Sequence, residues 1–97
     1  MFVAIAKLFL DFYGNTELPK KRYEMKQLCS LVHRKHNVSA HEIIEKLDDP
    51  ERCILGLSLT ASSRVDARKA IDHIVEFVDS IAFARVTTQD IDVFQME

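Results

Sequence analysis

The sequence predicts an α+β fold, a ferredoxin-like βαββαβ sandwich in which a four-stranded antiparallel sheet carries two helices on one face. Apolar residues alternate with polar ones in several short stretches, which is typical of strands with one buried face. In two other stretches the apolar residues recur every three or four positions, as they do in helices. The order is strand, helix, strand, strand, helix, strand, and right-handed crossovers then place both helices on one side. With 97 residues and only two Gly and two Pro, the chain is expected to form a single domain with short loops.

The first strand and the first helix are predicted in the N-terminal third of the chain. Residues 2–13 alternate between a wholly apolar side and a mixed side. The apolar side consists of Ala4, Ala6, Leu8, Leu10 and Phe12. Residues 19–36 follow the helical period through Met25, Leu28 and Val32, and their opposite side is basic. This segment is therefore predicted to be a helix with one buried and one charged side.

A hairpin is predicted next. Residues 38–47 alternate less regularly and are polar enough for an edge strand. Residues 48–51 favour a turn. The strand after the turn has Leu55, Leu57 and Leu59 on one side. Strands one and three are then expected at the centre of the sheet, and strands two and four at its edges.

The second helix and the last strand complete the prediction. Ser63 followed by Asp66 is typical of a helix N-cap, and the apolar stripe behind it continues to about Ser80. Residues 82–95 return to an extended pattern with an irregularity at 87–89. The core is expected to contain Leu8, Leu10, Leu28, Val32, Leu55, Leu57, Ile71, Ile74 and Val78.

Composition limits the compartment and the class of protein. Hydrophobic residues make up 47% of the chain and charged residues 29%, which argues against disorder. No stretch is long enough to span a membrane, and the apolar N-terminus lacks the features of a signal peptide. Cys29 and Cys53 show no motif spacing, so we expect reduced thiols and a cytoplasmic protein, with one structural disulfide as the alternative.

Three short motifs resemble a known family. They are Lys21-Arg22, Asn37-Val38-Ser39-Ala40-His41-Glu42 and Arg52-Cys53-Ile54-Leu55-Gly56. In spacing and element order they are similar to the YlxP-like family, domain of unknown function 503, across essentially the whole chain. The sequence departs from that pattern at Glu17, Pro19 and His36, where Ser, Lys and Phe are usual. The resemblance implies a bacterial origin, a ferredoxin-like fold, no established activity and a ribosomal or RNA partner.

The first candidate site is the basic side of helix one. Between residues 20 and 36 the net charge is +5, which leaves −7 for the remainder of a chain whose total is −2. The candidates for RNA or phosphate contact are Lys20, Lys21, Arg22, Lys26, Arg34 and Lys35. Basic residues in a first helical turn oppose the helix dipole, a cost that a bound anion would offset. The alternative is a solvated face. Reversing Lys21 and Arg22 to Glu is expected to lower RNA affinity without unfolding the domain.

The second candidate site is the sheet face that the helices leave uncovered. Ile5, Phe9 and Tyr13 supply apolar area there, and self-association to a homodimer would cover it. The expected function is thus a non-enzymatic binding protein that contacts structured or ribosomal RNA, with neither DNA nor a membrane as partner. The alternative is a self-associating module that binds a protein or small ligand through its sheet.

Catalytic, metal and cofactor sites are not predicted. Cys29 and His33 share a helical face, but His36 and His41 lie elsewhere, and structural zinc needs four ligands. Ser62 and Ser63 have no paired His and acid, and no nucleotide-binding fingerprint is present.

Overall fold

The computed structural model describes residues 1–44, 49–81 and 84–97. Its elements are β1 (Phe2–Asp11), α1 (Leu18–His36), β2 (Ser39–Glu42), β3 (Arg52–Ala61), α2 (Arg64–Asp79) and β4 (Arg85–Gln95). The strands form one antiparallel sheet in the order β2-β3-β1-β4. This confirms the predicted α+β fold, with strands one and three at the centre. Neither helix of the described chain is long and apolar enough to cross a bilayer.

The core lies between the helices and one face of the sheet. On β1 the side chains of Ala4, Ala6, Leu8 and Leu10 are buried, whereas the residues between them lie on the other face, which we call the open face. The buried set continues with residues of both helices and of β3. All nine residues of the predicted core are buried.

Helix α1 begins one residue earlier than predicted and ends at the predicted place. Its N-cap, Glu17, makes no side-chain hydrogen bond to the first turn, and Pro19 lies in that turn, where a missing N–H costs nothing. Asn37 ends the helix in the left-handed conformation, with φ of 49°.

Strand β2 is shorter than predicted. The ladder covers Ser39–Glu42 and is extended by one hydrogen bond, from the N–H of Ile43 to the carbonyl of Ile54 at 2.9 Å. The next β3 carbonyl on this edge, that of Arg52, accepts from the Lys21 ammonium at 3.0 Å. An α1 side chain thus reaches the edge of β3 beyond the described β2–β3 pairs. Residues 45–48 of the predicted strand and turn lie outside the described residues.

Helix α2 and strand β4 confirm two local predictions. The Ser63 hydroxyl accepts from the N–H of Asp66 at 3.0 Å, as expected of an N-cap. Strand β4 pairs with β1 in a register that shifts between Phe9 and Leu10, so that Thr87 forms a bulge within the irregularity predicted at 87–89. The Thr87 hydroxyl donates to the Phe9 carbonyl at 3.1 Å. Strand β4 begins at Arg85, and residues 82 and 83 lie outside the described part.

Candidate functional site

The six basic residues of α1 do not lie on one exposed face. Lys21 belongs to the buried side of the helix with Met25, Leu28 and Val32, and its exposed fraction is 0%. The expectation that Lys21 is an exposed phosphate contact is therefore wrong. The spacing of these four residues follows the apolar period of the helix, which places a lysine in the core.

The Lys21 ammonium connects α1 to the turn that precedes β3. It donates to the carbonyl of Asp49 at 2.8 Å and to that of Arg52 at 3.0 Å. The side-chain amide of Asn15 donates to the carbonyl of Pro50 at 2.9 Å in the same turn. Two polar side chains thus donate to three partly buried carbonyls of residues 49–52. Lys21 stabilises a loop and has no access to a partner.

Arg22 is also engaged within the chain. Its guanidinium forms an ion pair with Glu42 of β2, and both side chains are partly buried. The thiol of Cys53 donates to the same carboxylate oxygen at 2.9 Å. Glu42 therefore joins α1, β2 and β3.

The two cysteines are free thiols, as expected. Burial raises the pKa of Cys53 to about 12, and the hydrogen bond to the Glu42 carboxylate acts in the same direction. Burial also raises the pKa of Cys29 to about 11, with a smaller contribution from Glu42. Both groups are protonated at neutral pH and are poor nucleophiles in this state.

The histidines are dispersed. Nδ1 of His33 lies 2.7 Å from the carbonyl oxygen of Val38, and His36 packs edge-on against Phe77 with ring centroids 5.1 Å apart. Burial lowers the pKa of His36, with smaller contributions from Lys35 and His73. His41 lies on the open face of β2, opposite Gly56. Within the ranges that the structure describes, no three His, Cys, Asp or Glu side chains are grouped to hold a metal ion.

Four basic residues of α1 remain exposed: Lys20, Lys26, Arg34 and Lys35. Successive helix residues are rotated by about 100°. Lys26 therefore projects toward β2, whereas Lys20 and Lys35 project toward α2. Around the helix, Arg34 lies between Lys26 and Lys20. The Lys35 ammonium lies 5.2 Å from the ring centroid of Phe77. Lys20, Lys26 and Arg34 form no ion pair with any described residue.

The open face carries two of the three predicted self-association residues. Ile5 is 44% exposed and Phe9 is partly buried on the same side of β1. Tyr13 is not on the open face. It lies in the turn after β1 and lines a cavity together with Lys20 of α1. The structure adds Phe94, which is 40% exposed and pairs with Val3 next to Ile5. The irregularity at residues 87–89 interrupts the alternation of β4, so the sequence alone did not indicate on which face of the sheet Phe94 lies.

The motif residues contact one another across the α1–β2–β3 junction. Lys21 binds the carbonyl of Arg52, and Arg22 binds Glu42. Gly56 lies beneath the side chain of Ile43, because a Cβ atom at Gly56 would be only 2.9 Å from Ile43 Cδ1. The contacts of Lys21 and Arg22 therefore fix the packing of α1 against the hairpin. A glycine is needed at position 56 because the side chains of His41 and Ile43 approach it on the open face.

Comparisons with known proteins agree with this pattern. A family model described as "Protein of unknown function (DUF503)" matches residues 3–91. The "Uncharacterized protein YlxP" of Bacillus subtilis (strain 168) is 34% identical over 78 residues, which is 80% of this chain and 84% of that protein. The family-model match includes the α1–β2–β3 junction.

Proposed function

This chain belongs to the DUF503 family of proteins of unknown function, and from that premise we propose that it binds structured RNA through the exposed basic residues of α1. The observation that carries the proposal is the exposure of Lys20, Lys26 and Arg34 without an ion pair to any described residue. These charges lie on a helix of net charge +5 in a chain of net charge −2. Phosphate groups are the ligand class that unpaired Lys and Arg side chains bind.

The N-terminus of α1 supports the same ligand class. Its first turn contains no acidic residue, and Glu17 provides no side-chain cap. The N–H groups of that turn and the Lys20 ammonium both favour an anion. Lys21 and Arg22 are assigned to stabilising the fold, so the proposed contact surface consists of Lys20, Lys26, Arg34 and Lys35.

Binding to structured RNA should weaken steeply with salt. Each phosphate contact contributes roughly 0.7–0.9 to the logarithmic salt slope, so four contacts give a slope near −3. Reversal of Lys26 and Arg34 to Glu should reduce affinity for ribosomal RNA and flatten that slope, as measured by filter binding across a salt series. The matched control reverses Arg68 and Lys69 of α2, which are also exposed. Equal losses in the two double variants, or no binding by the wild-type protein at low salt, would contradict the proposal.

A second candidate, self-association through the open face, is favoured by the exposure of Ile5 and Phe94 on neighbouring strands. The open face carries acids on β4, at Asp90 and Asp92, and basic residues on the other strands. Two copies related by a two-fold axis can therefore set acids opposite basic residues around an apolar centre. A second copy of this chain is the partner that fits both features.

Sedimentation should detect this association at about tens of micromolar. Replacing Ile5 and Phe94 by Ser is expected to shift the protein to monomer, because the apolar area that the dimer would bury is lost. The matched control replaces Leu31 and Val65 by Ser, since these are exposed apolar residues of the helices. A wild-type protein that sediments only as monomer would remove this candidate.

A further inference from the structure

Within the described part of the chain, side chains cap the outer edge of β4 at both ends and not between them. Met1 and Met96 exchange backbone hydrogen bonds, so alternate residues of β4, including Gln89, Ile91 and Val93, direct their backbone groups away from β1. The Val93 carbonyl accepts from Arg64 at 2.6 Å. Near the other end, the N–H of Val86 donates to Asp79 at 2.8 Å. Both capping side chains come from α2.

The backbone groups of Gln89 and Ile91 lie between these caps. No described residue donates to or accepts from their outward N–H and C=O groups. A sheet edge of this kind is a template for another strand. The Gln89–Ile91 edge is therefore a surface at which a partner backbone can form four hydrogen bonds, two with each residue.

The side chains at this edge determine which partner fits. Asp90 and Asp92 precede and follow Ile91 in β4, and both side chains are exposed on the open face. On the helix side, a cavity of about 420 Å³ is lined by Arg64, Arg68, Ile91, Asp92 and Val93. An incoming strand would place two side chains opposite the aspartates and, between them, one side chain in this cavity.

We propose that the Gln89–Ile91 edge binds an extended peptide segment of the pattern basic–apolar–basic as a fifth antiparallel strand. The two basic residues lie opposite Asp90 and Asp92, and the apolar residue packs beside Ile91. A second copy of β4 that pairs through both Gln89 and Ile91 does not fit this edge. That register would place the two Asp90 side chains directly opposite each other, an axis at Ile91 would place Asp90 opposite Asp92, and like charges directly opposite destabilise a strand pair.

The test uses a fluorescent peptide of about nine residues, long enough for one strand, with alternating Lys and Val. Peptide binding should slow hydrogen exchange at the Ile91 amide, which has no hydrogen-bond partner among the described residues. Replacing Asp90 and Asp92 by Asn should weaken binding about two- to thirtyfold, the range expected for two opposite-charge cross-strand pairs. The matched control replaces Glu51 and Glu76, exposed acids outside β4, by Gln and should bind like wild type.

Two further measurements separate strand addition from simple charge attraction. The Ile91→Pro variant removes an outward N–H that is not part of the β1–β4 ladder, so it should fold and lose peptide binding. A peptide that is N-methylated on its β4-facing amides keeps its charge and should fail to bind the wild-type protein, a result that does not depend on any variant folding. Equal weakening by the two double acid variants, or undiminished binding of the methylated peptide, would overturn the proposal.

Discussion

Replacing Lys21 with methionine is expected to lower the free energy of unfolding by about 1–3 kcal/mol. Methionine retains much of the length and apolar volume of the lysine stem but offers no donor to the carbonyls of Asp49 and Arg52. The Arg52 carbonyl then loses the ammonium as its donor, whereas the Asp49 carbonyl keeps the N–H of Arg52 at 3.3 Å. A buried carbonyl that is left without a donor costs about 1–3 kcal/mol. The effect should be large because the side chain is fully buried and connects α1 to the turn before β3.

Urea denaturation of the Lys21→Met and Lys20→Met variants measures this difference directly. Lys20 precedes Lys21 in the same helical turn but is exposed, so its replacement should change stability by less than about 0.5 kcal/mol. Reversal of Lys21 to Glu should be worse than methionine, since it places a carboxylate against two carbonyl oxygens. If Lys21→Met and Lys20→Met were equally stable, the ammonium would not support the turn. The expectation that charge reversal at Lys21 leaves the domain folded requires an exposed side chain. The Lys21 side chain is buried, so the expectation is wrong.

Replacing Leu57 with alanine is expected to cost about 2–5 kcal/mol, the usual range for a buried leucine. Leu57 lies in the centre of β3, where it is 3% exposed and pairs with Ala6 of β1 and Ala40 of β2. Its neighbours on both strands are small, so the side chain fills much of the local space and its removal leaves a cavity. At a central strand of a sheet, the neighbouring residues cannot easily move to fill such a cavity.

The control for Leu57 is Leu31, a leucine of α1 that is 37% exposed. Leu31→Ala should be destabilising by less than about 1 kcal/mol, because alanine has the better helix propensity and little apolar burial is lost. Thermal or urea unfolding of both variants under identical conditions provides the comparison. A loss below about 0.5 kcal/mol for Leu57→Ala would mean that the strand register is wrong.

The fold could be predicted because its local signals agree with one another. The alternation in β1, the cap at Ser63 and the irregularity around Thr87 each depend on only a few neighbouring residues, and each is found in the structure. The order of the elements then leaves few topologies. Consistency between local preference and overall topology is what allows a sequence to be interpreted in this way.

The candidate site was harder to predict because it depends on contacts between distant residues. Lys21 has the helical spacing of the core residue Met25, but its charge led to its assignment to the basic face. Its partners lie 28 and 31 residues further along the chain. The pairing of Arg22 with Glu42 depends on where β2 meets α1. No local pattern contains that information.

The net charge of +5 on α1 and the two exposed aspartates of the β4 edge lie on opposite sides of the sheet and contribute to an electric dipole across it. Helix α1 packs over β2 and β3, whereas Asp90 and Asp92 lie on the edge strand at the other side. In the field of a polyanion the net charge of −2 is repelled, but this contribution to the dipole favours orientations in which α1 faces the source. This alignment acts only within a few Debye lengths, each about 8 Å at physiological ionic strength. Electrostatics therefore contributes orientation to the first encounter with a polyanion, and β4 points away from it.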